Sequence, residues 1–371
     1  MPPLSLTQRI VIGVVGSLMV LLLISGAIYA GIYFASGGKP QQTAAVPEEE
    51  KVVPLDAKDL VVPLIPGAPS DMAPFQLNPE RGDSLIAAKV KPSVPGPLDR
   101  NKSVIIALLD RENGPGARIE SELARALRGK ALRQDASGGF TVKRYTLPQQ
   151  REAAVEMIRQ VVKDGGEILV PLDLASLYDT LLNAPGKRIL YCTNGAPLLP
   201  KLPQVTGVVL PTVYAGREDM SRFFKLGLPP QRKVAVIFEP DDWTSVEYKE
   251  NMAELLDLEQ IPFECIAIDS ESSMVEVADS IRNRDLNTVW LVPGPVLSRL
   301  GGELISYVTL SRKPVIGFAP QQTEQGATMV MGPDWLAAIR ELSEPITKVI
   351  RGETPGDLRP VVSNSTILMQ K

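Results

Sequence analysis

Histidine is absent from this chain of 371 residues, and cysteine occurs only twice. Without histidine, the chain cannot form a Ser-His-Asp triad, an ordinary zinc site or an imidazole general base. The sequence also lacks a P-loop, a nucleophile elbow and the G-x-G-x-x-G spacing of a dinucleotide site. We therefore expect no catalytic residues, no metal, no cofactor and no enzymatic activity.

An excess of positive charge is missing as well. Asp and Glu number 43 against 39 Lys and Arg, and the net charge is −4. Non-specific binding to nucleic acid depends on basic patches that contact phosphates, and the sequence contains no basic tract. Nucleic acid is therefore not an expected partner.

The two cysteines, Cys192 and Cys265, each lie in or beside an apolar segment that is typical of a strand. This setting predicts buried structural thiols. The fold that the sequence predicts, described below, has two lobes, and the two segments belong to different lobes. We therefore do not expect a disulfide.

Charge is completely absent from residues 10–35, which read IVIGVVGSLMVLLLISGAIYAGIYFA. A helix rises about 1.5 Å per residue, so this run is long enough to cross a hydrocarbon core of roughly 30 Å. A cleaved signal peptide is the alternative, but its apolar region is normally only about 7–15 residues long. The length favours an uncleaved transmembrane helix, that is, a signal anchor.

The charges around this run indicate its orientation. Arg9 and the N-terminal amine precede it without any acidic residue, and a mixture of Lys39, Lys51 and three glutamates follows it. The positive-inside rule then places residues 1–9 in the cytoplasm and the bulk of the chain in the periplasm. We expect a single-pass protein of a bacterial inner membrane.

Residues 36–101 are rich in proline. Proline disfavours both helix and sheet, so this region is expected to be an extended, semi-rigid linker. Two short apolar pieces, 60–64 and 84–90, could dock on a partner or on the folded domain.

From residue 102 onward, short apolar runs alternate with helix-length amphipathic segments. This alternation predicts parallel strands with helices on both faces of a sheet. The pattern starts again near residue 233, which indicates an α/β fold with two doubly wound parallel-sheet lobes. The expected strands are 104–109, 140–145, 167–170, 188–192, 207–210, 234–238, 263–268, 288–292, 315–318 and 366–369, with one more within 326–335.

Five segments carry a family resemblance, and they are VTGV at 205–208, PPQRKVAV at 229–236, KPVIG at 313–317, GPDW at 332–335 and IRGETPGDL at 350–358. In this order and spacing they resemble the periplasmic substrate-binding proteins of ABC transporters. The similar group has a type I bilobed fold and includes binders of aromatic amino acids. The resemblance implies that residues 102–213 plus about 327–351 form lobe 1. Lobe 2 would comprise residues 214–326 plus about 352–371.

The resemblance further implies a small solute held between the lobes and a membrane permease as partner, for ABC-type uptake. One feature departs from the family. Members of the family have a Gly-Thr-rich turn after the third strand. This chain has Pro171-Leu172-Asp173-Leu174-Ala175 at that position. A bulky acidic turn would change the polarity of the ligand or fill the cleft. The alternative function is a non-transport accessory, scaffold or sensor subunit of a larger inner-membrane complex.

In open parallel sheets, ligands bind beyond the carboxyl ends of the strands. This rule selects the candidate cleft residues Asp110, Asp173, Thr193, Asn194, Tyr214, Asp241, Trp243, Thr244, Phe318 and Gln321. Structural alternatives remain open for several of them. Asp241 or Asp242 fits a helix N-cap, Trp243 could stack on a ligand or pack, and Asp110 could cap a helix or contact a ligand.

Overall fold

The fold is described by a computed structural model. It describes residues 60–61, 84–99, 101–111, 117–130, 132, 139–210, 233–269, 273–363 and 366–370, all within one unit, Val52–Lys371. The expected membrane helix at 10–35 lies outside these residues. Among the residues described, no helix combines the length and apolarity that crossing a membrane requires.

Each lobe is built around one six-stranded sheet. The strands of lobe 1 are β1 (Val104–Arg111), β2 (Phe140–Leu147), β3 (Gly166–Pro171), β4 (Arg188–Asn194), β5 (Val205–Leu210) and β11 (Val361–Val362). Those of lobe 2 are β6 (Val234–Phe238), β7 (Phe263–Ala267), β8 (Thr288–Leu291), β9 (Val315–Gly317), β10 (Met329–Pro333) and β12 (Thr366–Gln370). All neighbouring strands are parallel except β10 and β12. The expected pair of parallel sheets is therefore confirmed.

The two sheets have the same strand order. It is β11-β5-β4-β3-β1-β2 in lobe 1 and β12-β10-β9-β8-β6-β7 in lobe 2. In both, the first strand lies beside the second and the third, so the chain reverses direction across the sheet at the first strand. This reversal is the switch point at which doubly wound sheets bind ligands beyond the strand ends.

One short helix precedes the strands, and the other helices lie between or after them and cover the sheets. They are α1 (Ser84–Ala87), α2 (Ala117–Gly129), α3 (Arg151–Lys163), α4 (Leu174–Asn183), α5 (Trp243–Leu258), α6 (Ser273–Asn283), α7 (Pro295–Leu310), α8 (Gln321–Glu324) and α9 (Trp335–Arg351), with a 3-10 turn at Pro355–Asp357.

Successive residues of a strand face opposite sides of its sheet, and both sides are buried. In β1, Ala107 and Leu109 join the core shared with α3 and α4, whereas Ile106 and Leu108 join the core shared with α2 and α9. Lobe 2 has two cores in the same way, one with α6 and α7 and the other with α5. The near-continuous apolar runs of the sequence result from this burial on two sides.

Helix α9 shows how the local sequence sets its ends. Asp334 accepts a hydrogen bond from the backbone N–H of Ala337 at 3.0 Å and caps the first turn. Gly352 adopts φ +114°, and the N–H of Glu353 donates to the carbonyl of Lys348, which closes the last turn. Gly352 therefore ends the helix.

The lobe boundaries differ from the expected ones at the C-terminus. Residues 327–351 were assigned to lobe 1, but β10 pairs with β9 and β12 in the sheet of lobe 2. Only α9 of that range packs on lobe 1. Residues 352–371 were assigned to lobe 2, yet β11 extends the sheet of lobe 1 beside β5. The partner of a strand is determined by tertiary packing, so the local sequence pattern could not predict either assignment.

The C-terminal part of the linker packs on lobe 1. Ala87 and Val90 are buried in the core beneath α4, and we call residues 84–99 the strap. The amide of Gln204 accepts from the N–H of Ser93 at 2.9 Å and donates to the carbonyl of Lys91 at 3.0 Å. These side-chain partners satisfy backbone groups that a proline-rich segment cannot pair within itself. The strap is therefore part of lobe 1.

The first apolar piece of the linker also contacts lobe 1. Leu60 forms an antiparallel bridge with Pro200, and the N–H of Val61 donates to the carbonyl of Leu199 at 2.9 Å. A cavity of about 360 Å³ lies beside this contact. Both apolar pieces thus include residues that dock on the folded domain.

The two cysteines differ in exposure. Cys192 is fully buried in β4, as predicted. Cys265 is exposed, so the prediction of a buried thiol is wrong there. It lies on β7, the edge strand of its sheet, where the residues are only partly covered. Both thiols are free.

Candidate functional site

The carboxyl ends of β1, β3 and β4 carry the candidate residues of lobe 1. Asp110, near the end of β1, is 1% exposed. Its Oδ2 atom accepts from Nε of Arg144 at 2.7 Å and lies 2.6 Å from Nη2 of the same guanidinium. Arg144 comes from β2, so a pair of adjacent strands supplies both charges. The structure therefore gives Asp110 a buried ion pair.

Asp173 begins the helix that follows β3. Its carboxylate accepts from the N–H of Ser176 at 2.7 Å and from the Ser176 hydroxyl, which makes it the N-cap of α4. Nε of Arg111 lies 3.5 Å from Oδ1 of Asp173. The bulky turn noticed in the sequence is therefore a capped helix start with a cation at its side.

Thr193 and Asn194 end β4. Thr193 is fully buried, and its hydroxyl donates to the carbonyl of Gly195 at 3.1 Å. Among the residues that the structure describes, the Oδ1 atom of Asn194 is buried and has no hydrogen-bond partner. Gly195 adopts φ +76°, a conformation that favours glycine, so the chain turns directly after Asn194.

In lobe 2, Asp242 caps the first turn of α5 by accepting from the N–H of Ser245 at 2.7 Å. The expectation that Asp241 or Asp242 caps a helix is thus confirmed for Asp242, while Asp241 is exposed. Trp243 is the first residue of α5. Thr244 follows it and points toward lobe 1.

The two lobes touch directly at this point. The hydroxyl of Thr244 donates to the backbone carbonyl of Asn194 at 3.3 Å. A Cβ atom on Gly195 would stand 3.0 Å from Oε2 of Glu247. The first turn of α5 therefore packs on the turn that follows β4. The structure thus brings together Asn194 and Thr244, two of the candidate residues.

Glu239 was not selected from the sequence, yet it is buried at the carboxyl end of β6. Its two carboxylate oxygens accept from the N–H groups of Val296 at 3.0 Å and Leu297 at 2.7 Å. It thus caps α7 from a neighbouring strand, close against Gly294. The sequence signal was Phe238-Glu239-Pro240, an acid directly after an apolar strand.

The carboxyl groups of this region have perturbed pKa values. Burial raises the pKa of Glu239, although the two N–H groups of α7 act in the opposite direction. Burial also raises the pKa of Asp242 to about 7, and the negative charges of Glu239 and Asp173 add to this shift. The effect of Asp173 on Asp242 crosses from one lobe to the other.

The remaining candidates lie elsewhere. Phe318 is half-buried after β9 and packs against the core of lobe 2. Its N–H donates to the side chain of the buried Gln322 at 2.7 Å, whereas Gln321 is exposed at the start of α8. In the sheet order, β9 lies two strands from β6. Tyr214 lies outside the described residues.

Two six-stranded sheets of the same strand order, which approach each other where Asn194 contacts Thr244, have the architecture of the two-lobed binding folds. The family model for "ABC transporter substrate binding protein" matches residues 141–370. This match covers more than half of the chain, so the protein belongs to that family. The resemblance inferred from the five motifs is confirmed.

Solved structures share the fold at low sequence identity. A conserved domain protein from Vibrio cholerae O1 biovar El Tor aligns with a TM-score of 0.62 and 16% identity over 72% of this chain and 92% of that one. The ABC domain from Streptococcus pneumonia in complex with L-Trp gives 0.60 and 14% over 72% and 91%. A solute binding protein from Actinobacillus succinogenes with bound D-allose gives 0.53 and 11% over 72% and 98%. No curated protein matches the chain.

Proposed function

We propose that the protein binds a small polar solute between its two lobes and delivers it to an ABC-type permease. The observation that carries this proposal is the contact between Asn194 of lobe 1 and Thr244 of lobe 2, at the ends of strands that Asp173 and Asp242 also follow. The family supports it, and the solved relatives named above contain L-Trp in one case and D-allose in another. The protein acts by binding and hinge closure, without catalysis.

The site favours a ligand with hydrogen-bond donors. The carboxylates of Asp173 and Asp242 and the buried Oδ1 atom of Asn194 are all acceptors. A purely anionic solute would meet like charge there. The ligand class proposed is therefore a polar or zwitterionic metabolite that carries amino or hydroxyl groups.

Thermal unfolding in the presence of amino acids, sugars and small organic acids tests this function. A ligand present at a hundredfold excess over its Kd stabilises the folded state by about 2.7 kcal/mol. Asn194→Leu fills the cleft and should abolish the shift, whereas Asn101→Leu, at an exposed position, should retain it. If no ligand class shifts the transition of the wild-type protein, solute binding is refuted.

We also propose that residues 10–35 anchor the protein in a bacterial inner membrane, with residues 1–9 in the cytoplasm and the bulk of the chain in the periplasm. The uncharged run supports this placement by its length and flanking charges. The intact mass of the protein extracted from membranes tests it. A mature protein that begins after residue 27 and leaves the membrane without detergent would show a cleaved signal instead.

A second function is favoured by the direct contact between the lobes. Thr244 and Asn194 bond to each other, and Asp110 and Asp173 are engaged by Arg144 and Arg111. A contact in which these four groups engage protein partners suits an accessory or scaffold subunit of a membrane complex. Purification in mild detergent followed by mass spectrometry distinguishes the two functions, because this one requires a stable membrane partner other than a permease.

A further inference from the structure

Glu239 links the first turns of two helices of lobe 2. It directly follows β6, and its backbone N–H donates to the hydroxyl of Ser245 in the first turn of α5 at 2.9 Å. Its side chain extends to α7, where the two carboxylate oxygens accept from the N–H groups of Val296 and Leu297. Because α7 follows β8, and β8 pairs with β6, Glu239 joins the two loops at the carboxyl ends of these neighbouring strands.

These two loops lie at the switch point of lobe 2. The first strand, β6, lies between β7 and β8, so the chain leaves β6 toward one edge of the sheet and then crosses back to β8. Doubly wound folds bind ligands in the crevice at this point, where the free N–H groups of a helix N-terminus attract an anionic group of the ligand. In this chain the anionic group at that place is the carboxylate of Glu239, which is 4% exposed.

The carboxylate fills the space in front of the first turn of α7. The N-cap position of this helix is Gly294, which has no side chain that could cap it. A Cβ atom on Gly294 would collide with the carboxylate of Glu239. Gly294 has φ −177°, an extended conformation that any residue adopts, so the glycine is required by the close approach of the carboxylate. No room remains there for a second anion.

The hydrogen bonds of Glu239 are those of an ionised carboxylate, because both oxygens act as acceptors. Burial raises the pKa of Glu239, whereas the N–H groups of α7 and the positive charge of Arg299 lower it. A negative charge at this end of α7 also interacts favourably with the helix dipole. Glu239 thus supplies the charge that a bound anion would otherwise bring.

Lobe 1 has a carboxylate at the corresponding helix. The helix α4 follows β3, the third strand of its sheet, just as α7 follows the third strand of lobe 2. Asp173 directly precedes α4 and accepts from the N–H and the hydroxyl of Ser176. The cap is local in lobe 1 and comes from the adjacent strand in lobe 2. In both lobes a carboxylate of the protein itself therefore occupies this helix N-terminus.

We propose that Glu239 determines the specificity of lobe 2 by occupying the anion position at the start of α7. It excludes solutes that would be held there through a carboxylate, phosphate or sulfate group. This inference rests on the proposed function, because it concerns which solutes the protein accepts. Removal of the carboxylate should make the N–H groups of Val296 and Leu297 available to an external anion.

Acetate is the probe, because it has the size of the group that Glu239→Ala removes. Thermal unfolding of the full chain in detergent is compared in sodium acetate and in sodium chloride of equal ionic strength. Acetate at about five times its Kd should raise the unfolding temperature of Glu239→Ala by about 2–4 °C relative to chloride. Glu239→Ser opens the same space and should respond in the same way. The wild type and Glu239→Gln, in which a side chain still fills the space, should not distinguish the two salts.

Asp334→Ala is the matched control, because it removes a carboxylate cap from α9, which follows β10 and starts three strands away from β6. It should not distinguish the salts either. Circular dichroism shows whether each variant is folded. The proposal is overturned if folded Glu239→Ala and Glu239→Ser unfold at the same temperature in both salts, or if the wild type, Glu239→Gln or Asp334→Ala gains as much from acetate. Because no solute is present, a negative result here leaves the proposed solute binding intact, and failure of the solute screen leaves this result intact.

Discussion

The strap offers the sharpest test of the architecture, because two of its valines differ only in burial. Val90 is 6% exposed and Val94 is 78% exposed. Full burial of a valine side chain contributes about 1.5–3 kcal/mol, and Asp at position 90 would forfeit this contribution. A charged carboxylate cannot remain in that core unpaired, so the strap should detach. Gln204 then loses two hydrogen bonds to the strap, each worth about 0.5–1.5 kcal/mol.

Val90→Asp should therefore lower the free energy of unfolding by about 2–4 kcal/mol, with detachment of the strap setting the upper limit. Urea unfolding of the full chain measures the effect, and the fluorescence of Trp335, which packs against the core of lobe 1, reports on that lobe. Val94→Asp changes the same residue type on the same segment and should remain within about 0.5 kcal/mol of wild type. Equal unfolding midpoints for the two variants would refute the conclusion that the strap belongs to lobe 1.

Three further outcomes follow from single sites. Gly207→Ala should destabilise lobe 1 by about 3 kcal/mol or more in urea unfolding, because the new Cβ would stand 2.4 Å from the carbonyl oxygen of Tyr191 on the adjacent strand. Cys265 should react with a thiol reagent in the native protein, whereas Cys192, which is fully buried and has a raised pKa, should react only after unfolding, as peptide mass spectrometry would show. Glu239→Ala removes both acceptors from the first turn of α7 and should cost about 2–4 kcal/mol in thermal unfolding, with Glu239→Gln costing less.

Much of the fold was accessible from the sequence, because hydrophobic periodicity is a local property. The expected strand at 234–238 matches β6, and the expected strand at 140–145 lies within β2. Strand partners are not local. The runs at 329–333 and 361–362 each pair with a different sheet from the expected one. The sequence of so short a strand does not determine which sheet edge the strand will extend.

The same distinction applies to the candidate site. Asp173 and Asn194 were found because each directly follows an apolar strand, which is a local signal. Arg144 and Glu239 were missed because their roles depend on a neighbour in another part of the chain. Arg144 pairs with an acid on the adjacent strand, and Glu239 caps a helix 57 residues further along. Such pairings become visible only when the strand order is known.

Asp241 and Asp242 show how far environment, rather than residue type, determines the chemistry of this cleft. In the sequence they are adjacent and equivalent. In the fold, Asp241 faces solvent, whereas Asp242 caps α5. Burial and the negative charges of Glu239 and Asp173 raise the pKa of Asp242. Glu239 receives two N–H groups of α7, and Asp173 lies beside Arg111, so each of these acids has a neutralising partner in its own lobe. The same residue type is therefore an exposed charge at position 241 and a helix cap with a raised pKa at position 242.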